Sequence, residues 1–377
     1  MTKADRAHLL GGLAASAFVR RHWHKTPLLV RGAVPAFTGV ATRDELFTLA
    51  SRDDVAARLV RRSGGTYTLQ HGPFRAAALA RLPRRDFTLL VQGVNLHSDA
   101  ADALLRRFAF IPYARLDDVM VSYAAPGGGV GPHVDSYDVF LLQGCGRRRW
   151  RYGRQADLTL RPGLPLKVLR RFSPTDDATL GAGDMLYLPP DVAHDGVAID
   201  ECTTCSIGFR APLYQEVAEA FLDHLRDTIV VEGRYADPDL RATSRPGRID
   251  AKLQRRLARA VAMLRSDAQQ AARFVGCFLT EPKPDVVFDA RPRAPRARFL
   301  REAARFGVRL DRRCQLLYDD THYYLNGDDA PLADAHRPAL QGLADRRMLT
   351  APEFAALSSA TVDLLHDWHR HGYLGHP

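Results

Sequence analysis

At 377 residues the chain is long for one compact domain, and a hydrophobic content of 46% excludes general disorder, so two or three folded units are expected. No stretch approaches the roughly 18 uncharged apolar residues that a membrane helix needs, which excludes a helical membrane protein. The net charge of +10 is a global arginine bias: only five of the 53 basic residues are lysines (Lys3, Lys25, Lys167, Lys252 and Lys283), no dense basic block exists, and direct nucleic-acid binding is not expected.

Lys3 and Arg6 precede an apolar stretch from Leu9 to Val19, but Gly11 and Gly12 weaken it and it runs straight into Arg20, Arg21 and His22. It reads as a helix at the edge of the first domain rather than a secretion signal. Residues up to about 110 mix short helical and strand signals, with Phe87–Gln92 a buried strand. From 118 to 210, short apolar runs alternate with Gly and Pro punctuation, the pattern of an all-β barrel or sandwich. Val139–Gln143, the turn Gly144-Cys145-Gly146 and the strand around Trp150 and Tyr152 are expected to form a hairpin. Met185–Leu188 follows the Gly183-Asp184 turn and ends at Pro189-Pro190, which cannot donate to a ladder.

After Pro212 the period becomes helical: Val217, Phe221 and Leu225 share a face with Ala218 and Leu222, and a second helix carries Leu253, Leu257, Val261 and Leu264. Two such helices bury little alone, so packing on another copy or on the barrel is expected. Pro282, Pro284, Pro292 and Pro295 mark a linker. A small α+β unit follows, with strands near Cys314–Tyr318 and His322–Leu325 hinged at Asn326-Gly327, and helices from about Pro338. The late histidines His366, His369, His371 and His376 have no ligand spacing and are expected at the surface. Five cysteines, an odd number, suit a reducing cytoplasm, and Cys202 and Cys205, though spaced C-x-x-C, read as chance spacing within a strand.

The chemistry concentrates in Pro126-Gly127-Gly128-Gly129-Val130-Gly131-Pro132-His133-Val134-Asp135-Ser136-Tyr137-Asp138. Along a strand, His133 and Asp135 face the same side. His194, just beyond the strand ended by Pro189-Pro190, is placed to add a third donor. Two imidazoles and one carboxylate make the triad of non-haem iron(II) oxygenases, which leaves open positions for a chelating co-substrate and oxygen. A surface pair beside a glycine turn would read the same way from these residues alone. Arg148 projects inward by alternation, while Arg147 and Arg149 project outward. A buried guanidinium can take a carboxylate in bidentate fashion, as the distal carboxylate of 2-oxoglutarate requires. An exposed basic strand is the alternative.

With these residues stand Asp117–Tyr123, Pro126–Phe140, Gln143–Trp150, Tyr187-Leu188-Pro189-Pro190 with His194, Ser206–Pro212, Arg21–Pro27 and His336–Leu340. Together they closely resemble the bacterial ribosomal oxygenases, JmjC-type arginine hydroxylases of the sixteenth large-subunit ribosomal protein, over essentially the whole chain. The resemblance implies a mainly β catalytic domain, a double-stranded β-helix (jelly-roll, JmjC cupin), at 1–212. It adds a helical dimerisation region at 213–285 and a winged-helix-like α+β domain at 286–377. It implies Fe(II) held by His133, Asp135 and His194, with 2-oxoglutarate and O2 as co-substrates. Arg148 is then the 2-oxoglutarate clamp and Ser122 a second contact, while Ala124 stands where a further hydroxyl would be expected. Asp118 and Tyr137 suit the substrate guanidinium, through an ion pair and cation–π stacking. A cytoplasmic homodimer acting on a ribosomal protein follows. A histidyl hydroxylase or JmjC demethylase of another basic protein, and a non-catalytic cupin or winged-helix regulator, are the alternatives; the choice of arginine over histidine is not legible here.

Overall fold

The computed structural model describes residues 8–377 except 239, 243–244, 246 and 263–267. Its residues fall into two compact units. The first runs through Ala211 and includes Lys283–Asp289 and Asp311–Arg313; the second comprises Pro212–Pro282, Ala290–Leu310 and Cys314–Pro377.

The first unit contains, in chain order, α1 (Ala15–Arg21), β1 (Leu28–Val30), α2 (Arg43–Leu49), β2 (Ala57–Ser63), β3 (Thr66–His71), α3 (Ala76–Ala80), β4 (Phe87–Val91), α4 (Asp99–Arg106), β5 (Leu116–Ala124), β6 (Val139–Gln143), β7 (Arg148–Gly153), β8 (Asp176–Leu180), β9 (Met185–Leu188), β10 (Ala193–Ala198) and β11 (Cys202–Phe209). Eight strands form one antiparallel sheet in the order β1-β9-β6-β11-β5-β4-β2-β3, and three form a second in the order β10-β7-β8. Strand alternation decides what each face does. Val119, Val121 and Tyr123 of β5 enter a core with Phe140, Tyr187, Ile207 and Phe209 and the helix residues Phe18, Leu46, Leu104 and Leu105. On β7, Trp150 and Tyr152 join Leu141, Leu180, Leu186 and Leu188 in a second apolar cluster, while Arg149, and Arg147 just before the strand, point out to ion pairs with Asp177 and Asp200. The opposite face of β5 is left to Asp118, Met120, Ser122 and Ala124.

Two expectations are corrected here. β6 and β7 do not form a hairpin: β6 pairs with β11 and β9, and β7 with β10 and β8. The turn instead crosses from one sheet to the other over the start of β11. Gly144 N donates to Thr203 O (2.8 Å) and Thr203 N to Cys145 O (3.1 Å). Gly146 adopts φ +60°, and a Cβ there would lie 2.0 Å from the Glu201 carbonyl oxygen. Nor does a regular strand carry His133 and Asp135. They lie in an extended loop tied to β10 by a single bridge, in which His133 and His194 exchange backbone hydrogen bonds of 3.0 and 2.8 Å. The glycine run before it is explained by close approach: a Cβ on Gly128 would sit 2.1 Å from Phe87 O, and one on Gly129 2.6 Å from Gly196 O. Cys202 and Cys205, an odd number of residues apart on β11, join different clusters and cannot share a metal.

The second unit contains α5 (Tyr214–Thr228), α6 (Ala251–Ala262), α7 (Ala268–Thr280), α8 (Arg296–Phe306), β12 (Val308–Leu310), β13 (Leu316–Tyr318), β14 (His322–Leu325), β15 (Asp328–Pro331), α9 (Arg337–Arg346), β16 (Met348–Leu349), α10 (Ala351–Ala355), α11 (Ser359–Arg370) and β17 (Leu374–Gly375). Its sheets are β16-β12-β17 and β13-β14-β15. Leu264, expected on the second helix, lies outside the described residues. Helices α7 and α8 go beyond the sequence reading: Pro295, taken as linker, is the N-cap of α8. Asn326-Gly327, both at positive φ, joins β14 to β15 as a tight two-residue turn, whereas β13 and β14 are joined through Asp319–Thr321. The late histidines are also corrected. His369 is buried, and with His366 and His376 it packs around the Phe299 ring, with centroids 5.0–6.0 Å away. Their nitrogens meet backbone carbonyls, and only His371 is exposed.

Candidate active site

The extended loop after the glycine run and the start of β10 bring His133, Asp135 and His194 together, with one donor atom from each lying within 4.8 Å of the others. Among the described residues this is the sole cluster of its kind. Each imidazole uses Nδ1 on a backbone carbonyl: His133 on Gly131 O at 2.9 Å, His194 on Val192 O at 3.0 Å. Since a carbonyl only accepts, Nδ1 carries the proton and Nε2 is left with its lone pair. Both Nε2 atoms face Asp135, at 3.8 Å from Oδ1 and 3.6 Å from Oδ2. The three donors lie close enough together for one ion to take a ligand from each. Burial, reinforced by His133, pushes the His194 pKa down to about 4, which keeps its lone pair available at neutral pH. Two neutral nitrogens and a carboxylate suit a divalent first-row metal with coordination positions left open.

Arg148 lies in the same interior, on β7, only 5% exposed. Its Nη1 donates to Ser122 Oγ at 3.2 Å, while Nε and Nη2 are buried without a partner. Those two nitrogens form one edge of the guanidinium, the fork that grips a carboxylate side-on. A buried, half-satisfied guanidinium is costly unless an anion completes it. The Trp150 indole Nε1 and the Thr88 hydroxyl are likewise buried and unpartnered. Thr88 is the register partner of Ala124, the position at which a hydroxyl was missed on β5. The signal for Thr88 was present in the sequence, as the one hydroxyl inside an otherwise apolar strand. Trp150 lies across β10 at Gly196, where any Cβ would be 2.6 Å from the indole, and its ring centroid is 5.9 Å from that of His194.

A model of the JmjC domain matches residues 103–217, and one of a ROXA-like winged helix matches residues 263–375. The ribosomal protein uL16 3-hydroxylase of Escherichia coli is 34% identical over 92% of this chain and 95% of its own length. The chain belongs to the ribosomal oxygenase family. A probable ribosomal oxygenase of Haemophilus influenzae is 37% identical over 59% of this chain and 54% of its own. The solved structure of YcfD, a ribosomal oxygenase from Escherichia coli, in complex with cobalt and 2-oxoglutarate superposes with a TM-score of 0.80 at 32% identity, covering 96% of this chain and 98% of that one. The fold is thus a JmjC cupin barrel followed by a winged-helix domain, as the resemblance implied.

In this ribosomal oxygenase the two remaining sequence-predicted residues differ in setting. Tyr137 is 40% exposed, and burial together with the charges of Asp135 and Asp118 raises its hydroxyl above the usual phenol range. Asp118 is almost fully buried on β5, where its Oδ2 accepts from Gly93 N (2.8 Å) and Gln92 Nε2 (3.0 Å). Burial raises the Asp118 pKa, and Asp117 adds to the rise. Lys283, which sequence reasoning placed only in the linker, reaches both carboxylates, at 3.0 Å from Asp117 and 3.7 Å from Asp118. No local pattern could have found it.

Proposed function

We propose that this protein is an Fe(II)- and 2-oxoglutarate-dependent hydroxylase of a large-subunit ribosomal protein, with the β-carbon of an arginine as its target. One observation carries the reading: a histidine–carboxylate–histidine triad with both Nε2 lone pairs free shares its barrel with a buried arginine whose carboxylate-binding edge is empty. His133, Asp135 and His194 would hold the iron, and Arg148, oriented by Ser122, would clamp the distal carboxylate of 2-oxoglutarate. The bound iron and 2-oxoglutarate supply the oxidising power for C–H hydroxylation when O2 is present. The chain's own part is positional. The carbonyls of Gly131 and Val192 lock the imidazole tautomers, the cluster around Leu141, Leu186 and Leu188 lines the barrel with apolar side chains, and the Trp150 indole packs beside His194. At the rim, Asp118 would pair with the substrate guanidinium and Tyr137 would stack on it.

The Escherichia coli relative is named for ribosomal protein uL16, which makes a uL16 peptide the substrate to test. The full-length protein with iron, 2-oxoglutarate and that peptide should give succinate and a peptide one oxygen heavier, with the modification on an arginine. Chelation of iron, or His194→Ala, should abolish both. Peptide-independent succinate alone, or hydroxylation of a histidine, would reject the proposed substrate. We infer further that residues 213–285 form a dimerisation region between the barrel at 1–212 and the winged-helix-like domain at 286–377, and that the enzyme works as a homodimer in the cytoplasm. Exposed apolar side chains support this, including Leu222 and Leu257, 65% and 48% exposed. No described helix is long and apolar enough to cross a membrane.

A further inference from the structure

Two adjacent carboxylates, one of them buried, cannot remain charged beside each other without a cation. Asp117 and Asp118 share one: the Lys283 ammonium bridges them, and Arg210 approaches Asp117 at 3.9 Å. Lys283 stands between Pro282 and Pro284, which restrict the backbone on either side, and a turn bond from Val286 N to Lys283 O (2.9 Å) holds it further. Its side chain is 37% exposed, so water and a competing cation can both reach it.

We propose that Lys283 is an internal competitor at the rim, occupying the acidic pair until a substrate guanidinium displaces it, so that only a side chain that binds the pair better than an ammonium does is held firmly. This rests on the reading of Asp118 as the substrate's anion. An incoming lysine would exchange one ammonium for another and gain little. An incoming arginine exchanges a point charge for a planar fork that meets carboxylate oxygens in pairs, so it wins the exchange. In a chain whose basic residues are nearly all arginine, a lysine at this position matters for the same reason: an arginine here would hold the pair as firmly as the substrate does.

The test uses the full-length protein and two labelled peptides from uL16, one with its target arginine and one with lysine in that place. Dissociation constants come from fluorescence anisotropy, and KM and kcat from turnover of the arginine peptide. Lys283→Met should tighten the arginine peptide by about twofold to fivefold, the reach of a part-exposed ion pair. It should tighten the lysine peptide by the same factor, because both peptides displace the same ammonium, leaving the arginine-to-lysine ratio unchanged, with the change in turnover falling in KM rather than kcat. Lys283→Arg should do the opposite and raise KM. Unchanged or weakened binding of both peptides by Lys283→Met, or an unchanged KM in Lys283→Arg, overturns the proposal. Should Lys283→Met melt early, Lys283→Gln takes its place with the same expectations. Asp118→Asn, run in parallel, separates the two failures. If it binds the arginine peptide normally, the substrate reading itself is wrong; if it loses the peptide while Lys283→Met changes nothing, the competitor alone is wrong.

Discussion

Arg148 and Asp118 are both buried charges, and the protein treats them in opposite ways. Arg148 keeps two nitrogens unpartnered, so its stability and its function both point to an anion. Arg148→Ala should raise the 2-oxoglutarate requirement by at least about 30-fold, from the loss of a buried charge-assisted pair worth about 2–5 kcal/mol. Arg148→Lys should fall between, keeping the charge without the fork; a 2-oxoglutarate KM that does not move in either variant would assign the clamp elsewhere. Asp118 is held by backbone and amide donors, yet burial still raises its pKa. The folded protein therefore keeps this proton to higher pH than the unfolded chain, whose aspartates ionise near about 3.9. Stability is lost as pH climbs from there through the raised folded value. Asp118→Asn should thus change unfolding least at acid pH, where folded and unfolded chains both hold the proton, and stabilise the protein increasingly as pH rises through the raised folded value, while weakening the arginine peptide. A stability gain already complete at acid pH, followed by thermal melts across that range, would contradict the linkage.

At the scale of elements, composition indicated strands more securely than it indicated their partners. The all-buried β4 and β6 and the alternating β7 read directly from apolar periodicity, and so did the inward direction of Arg148. The hairpin was misread because a glycine turn between two strands carries the same local signal whether the chain folds back on one sheet or crosses to another. What distinguishes the two is the approach of β11, distant in sequence. Gly146→Ala tests that crossing: left-handed backbone costs an alanine roughly 1 kcal/mol, and a Cβ 2.0 Å from the Glu201 carbonyl adds to it. Gly163 is the control, since it also has positive φ but open space around its Cβ position. In urea unfolding, Gly146→Ala should cost clearly more than Gly163→Ala; equal costs would mean the corner yields freely.

For the whole molecule, the exposed apolar faces of α5 and α6 are the main unexplained surface. None of the α5 side chains is fully buried, with Tyr214 95% and Leu222 65% exposed, and Val261 of α6 is 67% exposed. Surfaces of this kind ordinarily meet a partner, and a two-fold dimer is the commonest arrangement. Sedimentation should find a dimer at micromolar concentration, and Leu222→Asp with Leu257→Asp should shift it to monomer while the barrel still binds iron. A monomeric parent would remove the dimer from the proposal.

The three candidate metal donors, the inward-pointing Arg148 and the succession of a β domain by helices and an α+β end were legible in the sequence, because each depends on chemistry that a short segment carries: donor type, period two or period 3.6, and the punctuation of Gly and Pro. The tertiary structure alone decided which strands pair, that Thr88 stands opposite Ala124, and that Lys283 meets the acidic pair Asp117 and Asp118. These contacts join segments far apart in the chain, and nothing local records which distant residue will arrive.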